Sequence, residues 1–294
     1  MPAEQRPLLG IVLMLGAVLC FAALDATSKI LSQTFSVPLL VWARYGFHLL
    51  LMLVFLGPSM GLRLVRTRRP VLQAVRALLL VGVTGFAMAA FRIMPLAETT
   101  AILFVTPLAV AVLAGRFLGE RVGLVRWLAM LAGFAGMLLI ARPGSGLSPA
   151  GVVLTLLAAA CYSVYQIQTR MLSPSENTWT MLFYTALVGT VTMSVALPLF
   201  WSGPLPSLRE AAMIASLGIY GGTGHFMLIT AFRHARASTL APLLYVQLVW
   251  AGLFGWLFFG HVPDALSIAG AAAIVASSLA VAGWERRGAA TSQP

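Results

Sequence analysis

The chain has 294 residues, of which 60% are hydrophobic and 9% charged, with a mean hydropathy of +0.94. A soluble domain carries about 25% charged residues, so this composition excludes a soluble fold and predicts an all-α membrane protein. The net charge of +11 would suggest a nucleic-acid partner in a soluble protein. Here the arginines fall in short loops between apolar segments, a pattern that sets membrane topology, so we expect no nucleic acid as a partner. Cys20 and Cys161 lie inside apolar segments, which excludes a disulfide framework or a paired-cysteine metal site.

Ten apolar segments are long enough to cross a bilayer, which requires roughly 20 residues per helix. The first is too long for the apolar core of a signal peptide, and more spans follow it, so we interpret it as a helix of the protein. In chain order, the predicted transmembrane segments are 8–31, 36–57, 72–91, 97–116, 124–141, 150–170, 177–200, 210–232, 238–259 and 264–284.

The two halves of the chain are copies of each other. The break at 142–149 is rich in both Gly and Pro and lies at the midpoint of the sequence. A constant offset of 141 residues places Cys20 on Cys161 and Phe91-Arg92 on Phe232-Arg233, without gaps. Shared Leu and Ala alone could arise by chance, but the matched Cys and Phe-Arg pairs indicate an internal repeat. We therefore predict repeats at 8–142, with the first five helices, and 149–284, with the last five.

Five helices per repeat is an odd number, so the second repeat must be inverted relative to the first. The distribution of basic residues gives the orientation, because cytoplasmic loops are enriched in Lys and Arg. With the N-terminus in the cytoplasm, Lys29, Arg92, Arg142 and Arg209 fall outside and Arg44 lies within a helix. The other fourteen fall inside: Arg6, Arg63, Arg66, Arg68, Arg69, Arg76, Arg116, Arg121, Arg126, Arg170, Arg233, Arg236, Arg286 and Arg287. We predict a multi-pass protein of the bacterial inner (plasma) membrane with both termini in the cytoplasm.

Inverted five-helix repeats are typical of secondary transporters, which expose a central site to each side in turn. The sequence has no Walker A loop, no His-Glu-x-x-His motif and no Gly-x-Ser-x-Gly motif, and its two aspartates are Asp25 and Asp264. These observations disfavour an enzyme, and we expect no catalytic residues, no cofactor and no metal. A channel would need a ring of selectivity residues, which nothing in the sequence suggests.

Several motifs resemble the EamA repeat of the drug/metabolite transporter superfamily, over residues 8–284. In the first half they are Ala90-Phe91-Arg92-Ile93-Met94-Pro95-Leu96-Ala97, Thr106-Pro107, Gly119-Glu120-Arg121-Val122 and Arg142-Pro143. The second half carries a degraded copy: Ala231-Phe232-Arg233-His234-Ala235, Ala241-Pro242 and Gly260-His261-Val262-Pro263. In this copy His261 replaces the acidic residue of the family pattern.

This resemblance implies a ten-helix carrier of small metabolites, with a central cavity lined mainly by helices 1, 3, 4, 6, 8 and 9. Among the members, the chain is most similar to amino-acid exporters of the YddG type, whereas similar carriers import S-adenosylmethionine or other metabolites. We expect a monomer in the lipid bilayer that moves a small-molecule substrate, with protons as a candidate coupling ion. Sequence alone gives neither the substrate nor the direction of transport.

Charged groups within the bilayer are costly, so those that remain need a partner or a purpose. Asp25 and Lys29 share one face of the first helix, and Arg44 lies at a similar depth in the second helix. The offset partners of Asp25 and Arg44 are Gln166 and Thr185, which are uncharged. Two readings follow: a structural ion pair between the two helices, or a role in binding substrate or protons.

Polar and aromatic residues deep in other segments are further candidates for substrate binding, with ordinary packing as the alternative for each. They are His48, Tyr162, Tyr165, Gln166, His225, Tyr245, Gln247 and Trp250. Pro107 and Pro242 remove a backbone hydrogen bond within repeat-related segments, so both are candidate hinges.

Overall fold

The structure is a computed structural model that describes residues 7–94, 96–103, 105–120, 123–141, 148–200, 204–260 and 264–291. Within these residues the fold is helical throughout and contains no strand. Most of the predicted joint at 142–149, and His261 in the degraded second motif, lie outside the described residues.

The helices of the first half coincide closely with the predicted segments. They are α1 (Pro7–Ser32), α2 (Val37–Phe55), α3 (Gly57–Met60), α4 (Pro70–Ile93), α5 (Leu96–Leu103), α6 (Thr106–Leu118) and α7 (Leu124–Ala141), with a 3-10 helix at Gly61–Leu64 between α3 and α4.

The second half repeats this order. Its helices are α8 (Pro149–Leu172), α9 (Thr178–Phe200), α10 (Leu208–His234), α11 (Ala237–Leu240), α12 (Val246–Phe259) and α13 (Ala265–Thr291), with a 3-10 helix at Ala241–Tyr245 between α11 and α12.

Two predicted segments are broken rather than continuous, and each break lies at a proline. The segment predicted at 97–116 consists of α5 and α6, and Pro107 stands in the first turn of α6. The segment predicted at 238–259 consists of α11, the 3-10 helix and α12, and Pro242 stands at the start of the 3-10 helix. A proline is tolerated in a first turn because its missing N–H has no partner there. The two prolines therefore begin helices.

Seven helical stretches of the described chain are long and apolar enough to cross a membrane. They are Pro7–Ser32, Val37–Phe55, Pro70–Ile93, Pro149–Leu172, Thr178–Leu199, Leu208–His234 and Ala241–Phe258. Shorter apolar helices occupy 108–118, 124–139 and 268–277.

Helix packing follows the internal repeat. The offset of 141 residues exchanges α1 with α8, α4 with α10 and α6 with α12. The packing obeys this exchange, because α1 packs on α10 as α8 packs on α4, and α6 packs on α8 as α12 packs on α1. Helices α2 and α9 pack on each other, as do α7 and α13. The two halves are thus related by an approximate two-fold exchange of contacts.

Glycines allow α1 and α10 to approach each other closely. A methyl group on Gly224 would lie 2.6 Å from the Phe21 ring, and one on Gly10 would lie 2.7 Å from Ala235. The start of α1 therefore meets the end of α10. We call this end of the bundle, where α6 and α8 also end, the lower end, and the opposite end the upper end.

Candidate substrate cavity

A cavity of about 110 Å³ is lined by residues of both halves and extends toward the upper end. Most of its wall is apolar, and its polar groups come from eight helices: α1, α2, α4, α5, α6, α8, α10 and α12. The lining residues are Phe21, Leu24, Asp25, Ser28, Arg44, Leu80, Val83, Thr84, Ala87, Met88, Phe91, Thr100, Leu103, Thr106, Tyr162, His225, Leu244 and Gln247.

Repeat-related residues face the same cavity. Four pairs in the lining are separated by the 141-residue offset: Phe21 with Tyr162, Thr84 with His225, Leu103 with Leu244 and Thr106 with Gln247. The cavity is therefore built by equivalent positions of both repeats, as expected for a site at a repeat interface.

Asp25 contributes a carboxylate to this wall from α1. Gln247, in the first turn of α12, donates from Nε2 to Asp25 Oδ2 at 2.7 Å. This bond joins the middle of α1 to the helix that follows the break at Pro242. The partner is a neutral amide, so this bond brings no counter-charge to the Asp25 carboxyl group.

Arg44 contributes a guanidinium group from α2 and is 6% exposed. Its Nη1 donates to Thr84 Oγ1 at 2.7 Å, and the Thr84 hydroxyl donates to the Leu80 carbonyl at 2.9 Å. Its Nη2 lies 3.2 Å from His225 Nε2. A methyl group on Gly221 would lie 3.0 Å from Arg44 Nε, so α10 needs a glycine where the guanidinium passes.

The contact with Arg44 determines which ring nitrogen of a neutral His225 carries the proton. A guanidinium group can only donate, so Nε2 must accept, and the ring proton of a neutral His225 lies on Nδ1. Nδ1 is 3.1 Å from the hydroxyl oxygen of Tyr165, which accepts this proton's hydrogen bond. The Phe21 ring packs on the imidazole with a centroid distance of 4.8 Å.

Asp25 and Arg44 line one cavity but form no ion pair with each other. Each has neutral hydrogen-bond partners among the described residues. The direct pair between α1 and α2 that one reading of the sequence predicts is absent, because each group is engaged by a different helix. Two opposite charges thus face the same space without neutralising each other directly.

Arg76 is a second buried cation, and the sequence interpretation missed it by counting it among the cytoplasmic loop charges. Its side chain is 0% exposed. Nη1 donates to Tyr165 Oη at 3.2 Å and Thr169 Oγ1 at 3.4 Å, and Nη2 donates to Thr185 Oγ1 at 2.9 Å and to the Met181 carbonyl. The signal in the sequence was an arginine within an apolar segment, which is costly unless satisfied.

At the lower end, a cluster of charged and backbone groups joins several helices. Arg170 Nε lies 3.4 Å from Glu120 Oε1, and Arg170 Nη1 donates to the Phe232 carbonyl. The Ala237 amide donates to the same Glu120 oxygen at 3.4 Å. This cluster joins the ends of α6, α8 and α10 to the start of α11.

Five of the ten predicted substrate-binding residues line the cavity: Asp25, Arg44, Tyr162, His225 and Gln247. The other five predicted residues do not line the cavity. Tyr165 and Gln166 are buried within the α8 packing, and His48 packs against Gly222 of α10. Tyr245 packs against Gly133 of α7, and Trp250 packs against the main apolar core.

A mainly apolar cavity with a few convergent polar groups is typical of a small-molecule binding site. Here most of the helices that enclose it are apolar and long enough to cross a bilayer, which defines a membrane transport protein. The EamA-like transporter family matches the chain over residues 8–142 and 149–283, and the chain belongs to this family.

Similar proteins carry different substrates. The pseudopaline exporter CntI of Pseudomonas aeruginosa (strain UCBPP-PA14) is 31% identical over 280 residues, covering 92% of this chain and 95% of that protein. An S-adenosylmethionine uptake transporter of Rickettsia bellii is 28% identical, covering 95% of each chain. A riboflavin transporter of Vibrio cholerae is 29% identical, covering 98% and 97%.

One solved crystal structure superposes with a TM-score of 0.75 at 20% identity, covering 92% of this chain and 98% of its own. It shares the fold. This chain is a multi-pass membrane transporter of small metabolites, with two EamA repeats.

Proposed function

We propose that this chain is a secondary transporter that exports amino acids, aromatic ones included, or related amphipathic solutes across the bacterial inner membrane. It works by alternating access, as a monomer of ten transmembrane helices with both termini in the cytoplasm. Protons are the candidate coupling ion.

The observation that carries this proposal is the pair of opposite charges in one mainly apolar cavity. Arg44 offers a guanidinium group suited to a carboxylate, and Asp25 offers a carboxylate suited to an ammonium group. Leu24, Met88 and Phe91 offer apolar surface for the rest of the solute. An amphipathic amino acid satisfies all three requirements at once.

Alternating access is supported by the repeat-related packing and by the helix contacts at the lower end. Inverted repeats supply two conformations of similar energy, because the contacts of one half can be exchanged for those of the other. The cavity extends toward the upper end, while the Glu120 and Arg170 cluster holds four helices together at the lower end. We assign the upper end to the periplasm, following the arginine bias of the sequence.

Import of a metabolite such as S-adenosylmethionine is a second candidate, favoured by the similarity to the Rickettsia uptake transporters. That metabolite also carries an amino-acid group, so the same two charges would recognise it. A pore without carrier behaviour is the third candidate.

Proteoliposomes with an imposed pH gradient separate these functions. Uptake and efflux are measured for a panel of amino acids, S-adenosylmethionine and riboflavin. We expect saturable movement of amino acids that responds to the gradient. Movement of S-adenosylmethionine alone would favour the importer, and movement without saturation would contradict both carriers.

Reporter fusions test the topology on which the direction depends. A fusion at Pro294 should report the cytoplasm, and a fusion in the 142–149 loop should report the periplasm. Reporters on the same side of the membrane would refute the inverted arrangement of the repeats.

A further inference from the structure

The buried cation Arg76 lies at a special place in the repeat. Its side-chain partners are Tyr165, Thr169 and Thr185. Their offset counterparts in the first half are Leu24, Ser28 and Arg44, and all three of these line the cavity. The partners of Arg76 thus hold positions in the second half that match cavity positions in the first half. The Arg76 guanidinium group therefore lies where the cavity would lie if the second half took the place of the first.

Gln166 is a second residue of the second half whose repeat counterpart lines the cavity, and its side chain has no hydrogen-bond partner among the described residues. It is the offset counterpart of Asp25, it is 1% exposed, and neither of its amide atoms has a hydrogen-bond partner among the described residues. Arg76 Nε is also buried without a partner. Buried polar atoms are costly when unsatisfied, so a conformation or a ligand that supplies partners is favoured.

We propose that Arg76 and Gln166 form a second substrate-binding position, for the carboxylate and ammonium groups of an amino acid, in the state open to the lower end. This rests on the proposed amino-acid transport. Thr185 is the repeat counterpart of Arg44, so the second half has no basic residue at the position that binds the carboxylate in the first half. Arg76 supplies that cation from α4.

A chain of hydrogen bonds joins the two positions. Arg44 bonds His225, His225 bonds Tyr165, and Tyr165 accepts from Arg76. The two guanidinium groups thus hold opposite sides of one His–Tyr pair. When a substrate carboxylate leaves Arg44, only the His225 and Tyr165 side chains separate it from Arg76. This pair of side chains therefore lies on the path of the substrate between the two ends.

Sided transport kinetics test the position directly. The probe is radiolabelled phenylalanine, supplied to right-side-out and to inverted membrane vesicles. Gln166→Leu should raise KM from the lower side about tenfold and leave KM from the upper side within about twofold, since one bond to a charged group is lost in one state only. Because the amide is unpartnered in this state, the variant should fold.

Gln73→Leu is the matched control. Gln73 is 0% exposed and its two amide atoms are likewise without partners in the described structure. Its offset counterpart is Ile214, which is not among the residues lining the cavity. We expect unchanged KM values from both sides. Equal effects of Gln73→Leu and Gln166→Leu, or no effect of either, would overturn the proposal.

Arg76→Lys tests the carboxylate contact, with phenylalaninamide as the second probe. The wild type should prefer phenylalanine over its amide from the lower side, and Arg76→Lys should reduce that preference about tenfold, because lysine lacks the bidentate group. An unchanged preference in folded Arg76→Lys would contradict the proposal. If this variant does not fold, the glutamine variants decide the outcome.

Thiol labelling separates failure of this inference from failure of the proposed function. In a background in which Cys20 and Cys161 are replaced by serine, Ser28→Cys and Gln166→Cys should react with an impermeant maleimide from opposite sides of the membrane. Labelling from the same side, or no labelling of Gln166→Cys, would refute the second position. This readout stands even if the protein carries no amino acid.

Discussion

The Asp25 and Arg44 pair gives the sharpest test of how the cavity works. Arg44 makes two charge-assisted hydrogen bonds, to Thr84 and His225, each of about 1.5–3 kcal/mol. Arg44→Gln keeps part of this bonding and removes a buried charge, so we expect a loss of roughly 2 kcal/mol in the free energy of unfolding. Asp25→Asn keeps an acceptor for Gln247 and should cost less than about 1 kcal/mol.

The two groups form no direct ion pair but line the same cavity. We therefore expect a coupling free energy between the two substitutions of about 0.5–1 kcal/mol, at the low end for residues that share a cavity. A structural ion pair behaves differently, since breaking it from one side costs about 3–5 kcal/mol and removing both charges restores most of this.

Transport should fail in all three variants. Losing the contact between Arg44 and a substrate carboxylate corresponds to about 1.5–3 kcal/mol, or roughly a 10- to 150-fold rise in KM. The assay is amino-acid transport in proteoliposomes, normalised to folded protein, beside thermal or denaturant unfolding of the same preparations. Near-native stability and transport by the double variant would refute a substrate-binding role for the pair.

Other substitutions test the hinges, the wall and the lower end. Pro107→Ala should leave expression unchanged and slow turnover, because alanine lacks the proline ring that disfavours a continuous helix through the break between α5 and α6; an equal turnover rate would show that the break is only structural. Gly221→Ala should displace the Arg44 guanidinium, raise KM and cost about 1–3 kcal/mol, whereas Gly85→Ala, whose methyl group meets no atom within 4 Å, should leave KM unchanged and should not lower stability. Glu120→Gln should weaken the lower-end cluster and increase labelling of a cavity cysteine from the cytoplasm, and unchanged labelling would argue against a gating role for the ion pair.

Periodicity along the chain was enough to predict most of the architecture. An apolar stretch of about 20 residues has few alternatives to a membrane helix, because each backbone polar group must be bonded within the segment. The start of α7 at Leu124 and the end of α9 at Phe200 agree with the predicted segments. The offset of 141 residues also anticipated the exchange of helix contacts, since equivalent sequences pack in equivalent ways.

Helix breaks were harder to predict, because a proline is compatible with both a kinked helix and a new helix. The sequence marked Pro107 and Pro242 as weak points within two spans. Tertiary structure decided that each one begins a separate helical piece.

The sequence by itself determined which residues lie at which depth: Asp25, Arg44 and His225 all had to lie inside the apolar bundle. It could not determine the direction of each side chain around its helix relative to the others, since that depends on how the helices pack. Tertiary structure alone separated Asp25 from Arg44, turned Tyr165 away from the cavity and gave Arg76 four neutral partners. The reason is physical: a helix fixes the depth of a residue through its rise of about 1.5 Å, whereas its neighbours come from segments distant in the chain.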